Sequence, residues 1–215
     1  NITVANLNNS AKDMIVHADN DISVSDSVSG QANSNTDIVA GNSVTVVADV
    51  INSGVMSVAA PQINLNNVLN VGTEQALADL FVRSTLADSG SIQIMGEIVN
   101  TYGDLDVEAN SVSVAGLIEN NSGNMTLSSG TSMQLGETLD VRGGEVNLNL
   151  LGGEISLAGA LNVSGGNLNL NQGVYALNAG DNNVQISGSL VSGNQATGTG
   201  NVSFDFMGMS EFVLT

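Results

Sequence analysis

Residues 104–170 read DLDVEANSVSVAGLIENNSG (104–123), NMTLSSGTSMQLGETLDVRGG (124–144), EVNLNLLGGEISLAGALNVSGG (145–166) and NLNL (167–170). Each line carries a short alternating strand, a corner of small residues, a second alternating strand, and then an Asn or Asp followed by Gly. The first apolar residues of successive lines are Leu105, Met125, Val146 and Leu168, steps of 20, 21 and 22 residues. That period is one coil of a β-solenoid. A unit of this size cannot bury its apolar side alone and is stable only against neighbours above and below it.

Followed outward, the second strand of the unit recurs at Ile22, Val44, Ile63, Ile92, Val112, Met133, Ile155 and Val184. The steps are 22, 19, 29, 20, 21, 22 and 29, so the two long ones read as a coil plus an inserted loop. A preceding strand opens at Ile15, Ile38, Met56, Leu105, Met125, Val146 and Leu168. A polar turn residue follows at Asn52, Asn70, Asn100, Asn120, Asp140, Asn162 and Ser192, where stacked amides can hydrogen-bond from coil to coil. Glycines at Gly54, Gly72, Gly103, Gly123 and Gly143 close the corners, where a positive φ is the expected need.

The expected fold is therefore all-β: a right-handed, single-stranded parallel β-helix of eight to nine coils over residues 1–200, with loop insertions at 73–90 and 171–183. Within the first insertion, TEQALADLFVRSTL (73–86) sets Leu77, Leu80 and Phe81 at helical spacing behind Thr73 as N-cap, which predicts a short amphipathic helix. Residues 201–215 hold three of the four Phe and are expected to form a terminal coil, a cap or an assembly strand.

Composition narrows the function. The chain has 21 acidic and 3 basic residues, a net charge of -18, which repels nucleic-acid phosphate and anionic membrane surfaces. Neither nucleic-acid binding nor membrane insertion is expected, since no apolar run approaches the ~20 residues of a spanning helix. With no Cys, thiolate metal sites and thiol nucleophiles are excluded. The start at Asn1 reads as a mature product or an excised piece.

The enzymes most at home on a parallel β-helix, polysaccharide lyases and hydrolases, need carboxylates beside a basic residue. Here the basic residues are Lys12, Arg83 and Arg142, far apart in the chain, and His17 stands alone with no Ser or Cys pattern around it. The expectation is a protein that is not an enzyme and needs no cofactor. Carboxylates gather at Asp19 with Asp21, at Glu137 with Asp140, and at Asp104, Asp106 and Glu108. The last three alternate along one strand, point the same way, and are the candidate metal ligands, with calcium the ion that such oxygens suit. The Gly-rich nonapeptide of calcium-binding β-rolls does not occur.

Phrases such as VSVAGLIENNSGNMTL (112–127) and ISLAGALNVSGGNLNL (155–170) resemble the repeats of filamentous haemagglutinin-like exoproteins and autotransporter passengers, over about residues 15–193. The resemblance implies a secreted or surface-displayed bacterial fibre or adhesin, whose partner is a cell-surface or carbohydrate receptor or copies of itself. The NPNG- and NPNL-like motifs of that family's secretion module are missing, which favours a shaft segment or a free-standing relative. Two other readings stand beside it. One is a filament, surface-layer or matrix subunit stacking end to end as a homopolymer, suggested by the strand-like NITVANL (1–7) and EFVLT (211–215). The other is a polysaccharide-degrading enzyme.

Overall fold

The computed structural model describes residues 1–10 and 12–150 throughout, and beyond them residues 154–159, 161–163, 167–171, 174–178, 184–186, 189–192, 201–205 and 212–214. All regular structure in these residues is strand, and every strand pairing is parallel and links one turn of the chain to the next. The protein is a parallel β-solenoid of about 7 turns over the continuously described part.

One turn runs through three ladders. The first turn shows the scheme: Ile2–Val4 lies in sheet 1, Leu7–Asn9 in sheet 2 and Asp13–Ala18 in sheet 3. They pair with Asp21–Val24, Val28–Gly30 and Asn35–Ala40 of the second turn. Where the corner between two sheets is only a residue or two, a single long strand crosses it. Asp104–Val114 pairs through residues 104–109 in sheet 3 and residues 111–114 in sheet 1.

The core follows from the alternation. In sheet 1, Ile22, Val44, Ile63, Ile92, Val112, Met133 and Ile155 stack in register, and each is buried. Burying a side chain of this size is worth roughly 1.5–3 kcal/mol, and here each is covered by its counterpart in the next turn. Sheet 3 carries a similar column through Met56, Leu80, Leu105, Met125, Val146 and Leu168. The steps of 20, 21 and 22 residues on which the sequence reading rests are thus true vertical repeats.

Four expectations are corrected. Residues 73–86 form no helix: Asp79–Ser84 is a strand of sheet 3, between Val55–Ala60 and residues 104–109, with Leu80 and Val82 inward and Phe81 outward. Alternate burial on a strand outweighed three apolar residues at helical spacing. Over the continuously described part the turns number about 7 against the eight to nine expected over residues 1–200, a count that took in copies past residue 150, where the chain is described only in parts. There the ladders continue, but Ile155 pairs with Tyr175, not with Val184, which instead pairs with Leu161 in sheet 2. The strand Val174–Asn178 therefore falls inside the stretch expected as the insertion 171–183. Finally, Ile15 is 74% exposed, and Val16 takes the inward position paired with Ile38.

Of the expected terminal segment 201–215, residues 201–205 and 212–214 are described. Its strands Asn201–Asp205 and Phe212–Leu214 pair in parallel with Val174–Asn178 and Val184–Ile186.

Inside sheet 2 runs a second kind of column. Asn52, Asn70, Asn100 and Asn120 are fully buried, and each side-chain amide donates to the carbonyl of the next: 3.0 Å from Asn52 to Asn70, 2.8 Å from Asn70 to Asn100 and 2.8 Å from Asn100 to Asn120. Their remaining N–H groups cap backbone carbonyls at the adjoining corner, for example Asn120 to Gly123 at 2.8 Å and to Gly143 at 2.7 Å. The ladder does not run on to Asp140 as expected: Asn120 pairs with Val141, and Asp140 faces outward in register with Glu119. One residue of register turned the amide column into an apolar one.

The corner glycines serve two different needs. Gly103 has φ of +105°, as the turn reading expected. Gly123 has no positive φ, but a Cβ there would lie 2.2 Å from the Gly103 carbonyl oxygen. At this corner two turns touch backbone to backbone.

Candidate functional site

The outward positions of the three sheets form vertical columns ~4.8 Å per step. On sheet 3, one column runs Phe81, Asp106, Thr126, Asn147 and the next runs Arg83, Glu108, Ser128, Asn149. The strand Asp104–Val114 sets Asp104, Asp106 and Glu108 on this outer face, as the alternation predicted.

These three carboxylates do not converge. Neighbours two apart on a strand are spread by ~6.6 Å of rise, and each is engaged by neighbouring groups rather than by the other two. Arg83, one turn below, hydrogen-bonds Asp106 and lies 3.8 Å from Glu108, with its guanidinium 5.2 Å from the centre of the Phe81 ring. The hydrogen bond to Asp106 holds the Arg83 guanidinium above its usual value. Asp104 accepts a hydrogen bond from Asn124 at 3.1 Å, while its own backbone N–H donates to Asp79 at 3.2 Å. Among the described residues no three His, Cys, Asp or Glu lie close enough to hold a metal ion. A shallow hollow of about 300 Å³ lies over Asp104, Asp106, Asn124, Thr126 and Glu145.

The larger concavity is elsewhere. The step of 29 residues between Ile63 and Ile92 contains an excursion at the corner from sheet 3 to sheet 1, where residues 85–90 replace the single residue Asn110 of the next turn. The excursion is pinned at its root. Thr85 N–H donates to Ala60 at 3.1 Å, Gly90 N–H to Leu86 at 3.0 Å, and the Ser84 hydroxyl to Pro61 at 3.1 Å. Its projection leaves a saddle of about 450 Å³ that crosses the outer edges of four turns, from Ser84 and Leu86 through Glu108 and Ser128 to Asn149 and Leu150.

The saddle floor is set by the next two corners. Ala109 is followed by one corner residue, but Ser129 is followed by Gly130 and Thr131, a bulge opposite Asn110. The Ser129 hydroxyl stabilises the bulge, lying 2.6 Å from the Ser132 carbonyl and 3.0 Å from the Asn110 carbonyl, between which its one proton is shared. Sequence reading did not identify this site, because it assigned Ser84, Thr85 and Leu86 to a helix. The 29-residue step was the signal that could have found it.

The other ionic residues sit apart from both hollows. Arg142 reaches Glu119 and Asp140 at 2.9 Å each, clamping two acids that stack directly in sheet 2. His17 and Lys12 are exposed. Asp21 accepts hydrogen bonds from the Ser43 hydroxyl and the Asn42 amide, both at 2.7 Å, which hold its carboxyl below the usual range. No helix among the described residues is long and apolar enough to cross a membrane. No family model, curated protein or solved structure matches the chain.

Proposed function

We propose that this protein is a non-enzymatic structural or adhesive rod, displayed outside the cell, whose stacked turns hold a binding surface at a fixed distance. The observation that carries the reading is the turn-upon-turn parallel stacking of three sheets, whose outer columns are mostly short Asn, Ser, Thr and Asp side chains. Such columns are rigid and repeat at one spacing, which suits a shaft. The likeness of the repeats to filamentous haemagglutinin-like exoproteins supports the exterior location, and the net charge of -18 supports a surface that keeps clear of anionic membranes.

Labelling of intact source cells with an antibody against the chain tests the location. Labelling before permeabilisation is expected, and labelling only after it overturns the reading. Release of new reducing or unsaturated ends from neutral and acidic polysaccharides would overturn the non-enzymatic part.

End-to-end stacking of copies is a second reading, favoured by the first turn. Ile2, Val4, Leu7 and Val16 are only partly buried against the core, an apolar edge that a further turn, of this chain or of another copy, would cover. Electron microscopy across a concentration series separates the two. Filaments lengthening with concentration support stacking, and uniform short rods support the shaft.

A further inference from the structure

We infer that the saddle beside residues 85–90 is a binding site for a short uncharged oligosaccharide, laid along the solenoid axis with its rings over successive turns. The inference rests on the adhesive reading and names the ligand class of that surface.

Shape comes first. At about 450 Å³ the saddle lies within the ~300–1,000 Å³ of small-ligand sites. It runs across four turns, so its long axis is the stacking axis and its polar groups recur every ~4.8 Å. That spacing is close to the advance of one sugar in an extended glycan.

Chemistry comes second. The lining alternates apolar and polar groups, as a sugar does with its C–H faces and hydroxyl edges. Leu86 and Ala87 of the excursion supply its exposed apolar side, Gly130 lies at the bulge, and Ala109 and Leu150, which also border it, are buried. Leu86 is 46% exposed, an aliphatic side chain held out at the rim by the excursion. Between them stand Glu108, an acceptor for paired hydroxyls, and Ser128, whose oxygen accepts the Asn149 amide at 3.1 Å. Thr85 adds a further hydroxyl from the excursion.

Charge decides which sugars. Glu108 is only loosely countered by Arg83 at 3.8 Å, and the whole chain carries -18, so a uronate or sialate would be repelled. A neutral chain meets no such barrier.

The test is saturation-transfer NMR on the full chain with cellotriose, chitotriose and maltotriose as neutral probes, and with trigalacturonate and trilysine as charged ones. Transfer to at least one neutral trisaccharide and none to trigalacturonate is expected. Ser128→Trp, which fills the saddle from an outward position, should abolish the signal. Replacing residues 85–90 by a single Asn, the corner of the next turn, should abolish it too. Gln93→Trp on the exposed face of sheet 1 should leave it intact. Circular dichroism confirms that each variant keeps its strands, and the corner replacement serves if Ser128→Trp does not fold. Silence from all three neutral sugars, an undiminished signal in both saddle variants, or preference for trilysine overturns the inference. Any of these with labelling of intact cells still positive removes the sugar site alone, whereas labelling only after permeabilisation removes the exterior role beneath it.

Discussion

Asn100 shows what one side chain does in this fold. It accepts from Asn70, donates to Asn120 at 2.8 Å and to the Asn124 carbonyl at 3.2 Å, and is fully buried. Replacing it by Ala strands polar groups above and below it, each costing ~1–3 kcal/mol when buried without a partner. Asn100→Ala should therefore lower stability by at least ~2 kcal/mol, read from the urea midpoint. Asn120→Val should be milder, because it has an amide neighbour on one side only and Val141 already occupies the next rung. At the surface, Asp21 behaves differently. Its folded carboxyl is held below the unfolded value, so its contribution is present above the unfolded value and fades as pH falls through the folded one. Ser43→Ala removes the largest cause, and an NMR titration should show the Asp21 midpoint move up toward the ordinary carboxylate range.

Between elements, parallel in-register pairing sets like against like, and an acidic chain has to manage that. Most outward acids have an amide, hydroxyl or apolar neighbour in the next turn, as Asp21 has Ser43 and Asp106 has Thr126. Glu119 stacks directly on Asp140, and Arg142 spans both. Losing that clamp leaves two carboxylates about one strand spacing apart. Arg142→Gln should cost about 1 kcal/mol at low ionic strength, and Glu119→Gln in the same chain should restore most of it. The gap between variant and parent should narrow as salt rises, which equilibrium unfolding at two ionic strengths would show.

At the scale of the molecule, stability is a sum over stacked turns, each supported by two neighbours except at the ends. Hydrogen exchange should therefore be graded: amides of Ile98–Asn100 and Ile118–Asn120, held between turns, should outlast those of Ile2–Val4 by orders of magnitude. Equal protection along the chain would contradict turn-by-turn stacking.

The sequence by itself determined the parallel solenoid, because a period of about twenty residues with alternating apolar positions has one economical way to be buried. It also located the amides at Asn52, Asn70, Asn100 and Asn120 and the acids at Asp104, Asp106 and Glu108 on a single face. Only the tertiary structure decided register and corner geometry: that 79–84 is a strand, that Asp140 lies outside the Asn column, and that part of the long step's extra length forms the excursion 85–90 beside a saddle. Periodicity records which residues repeat, whereas the side chain opposite each one depends on how many residues each corner consumes, and that is settled only when one turn lands on another.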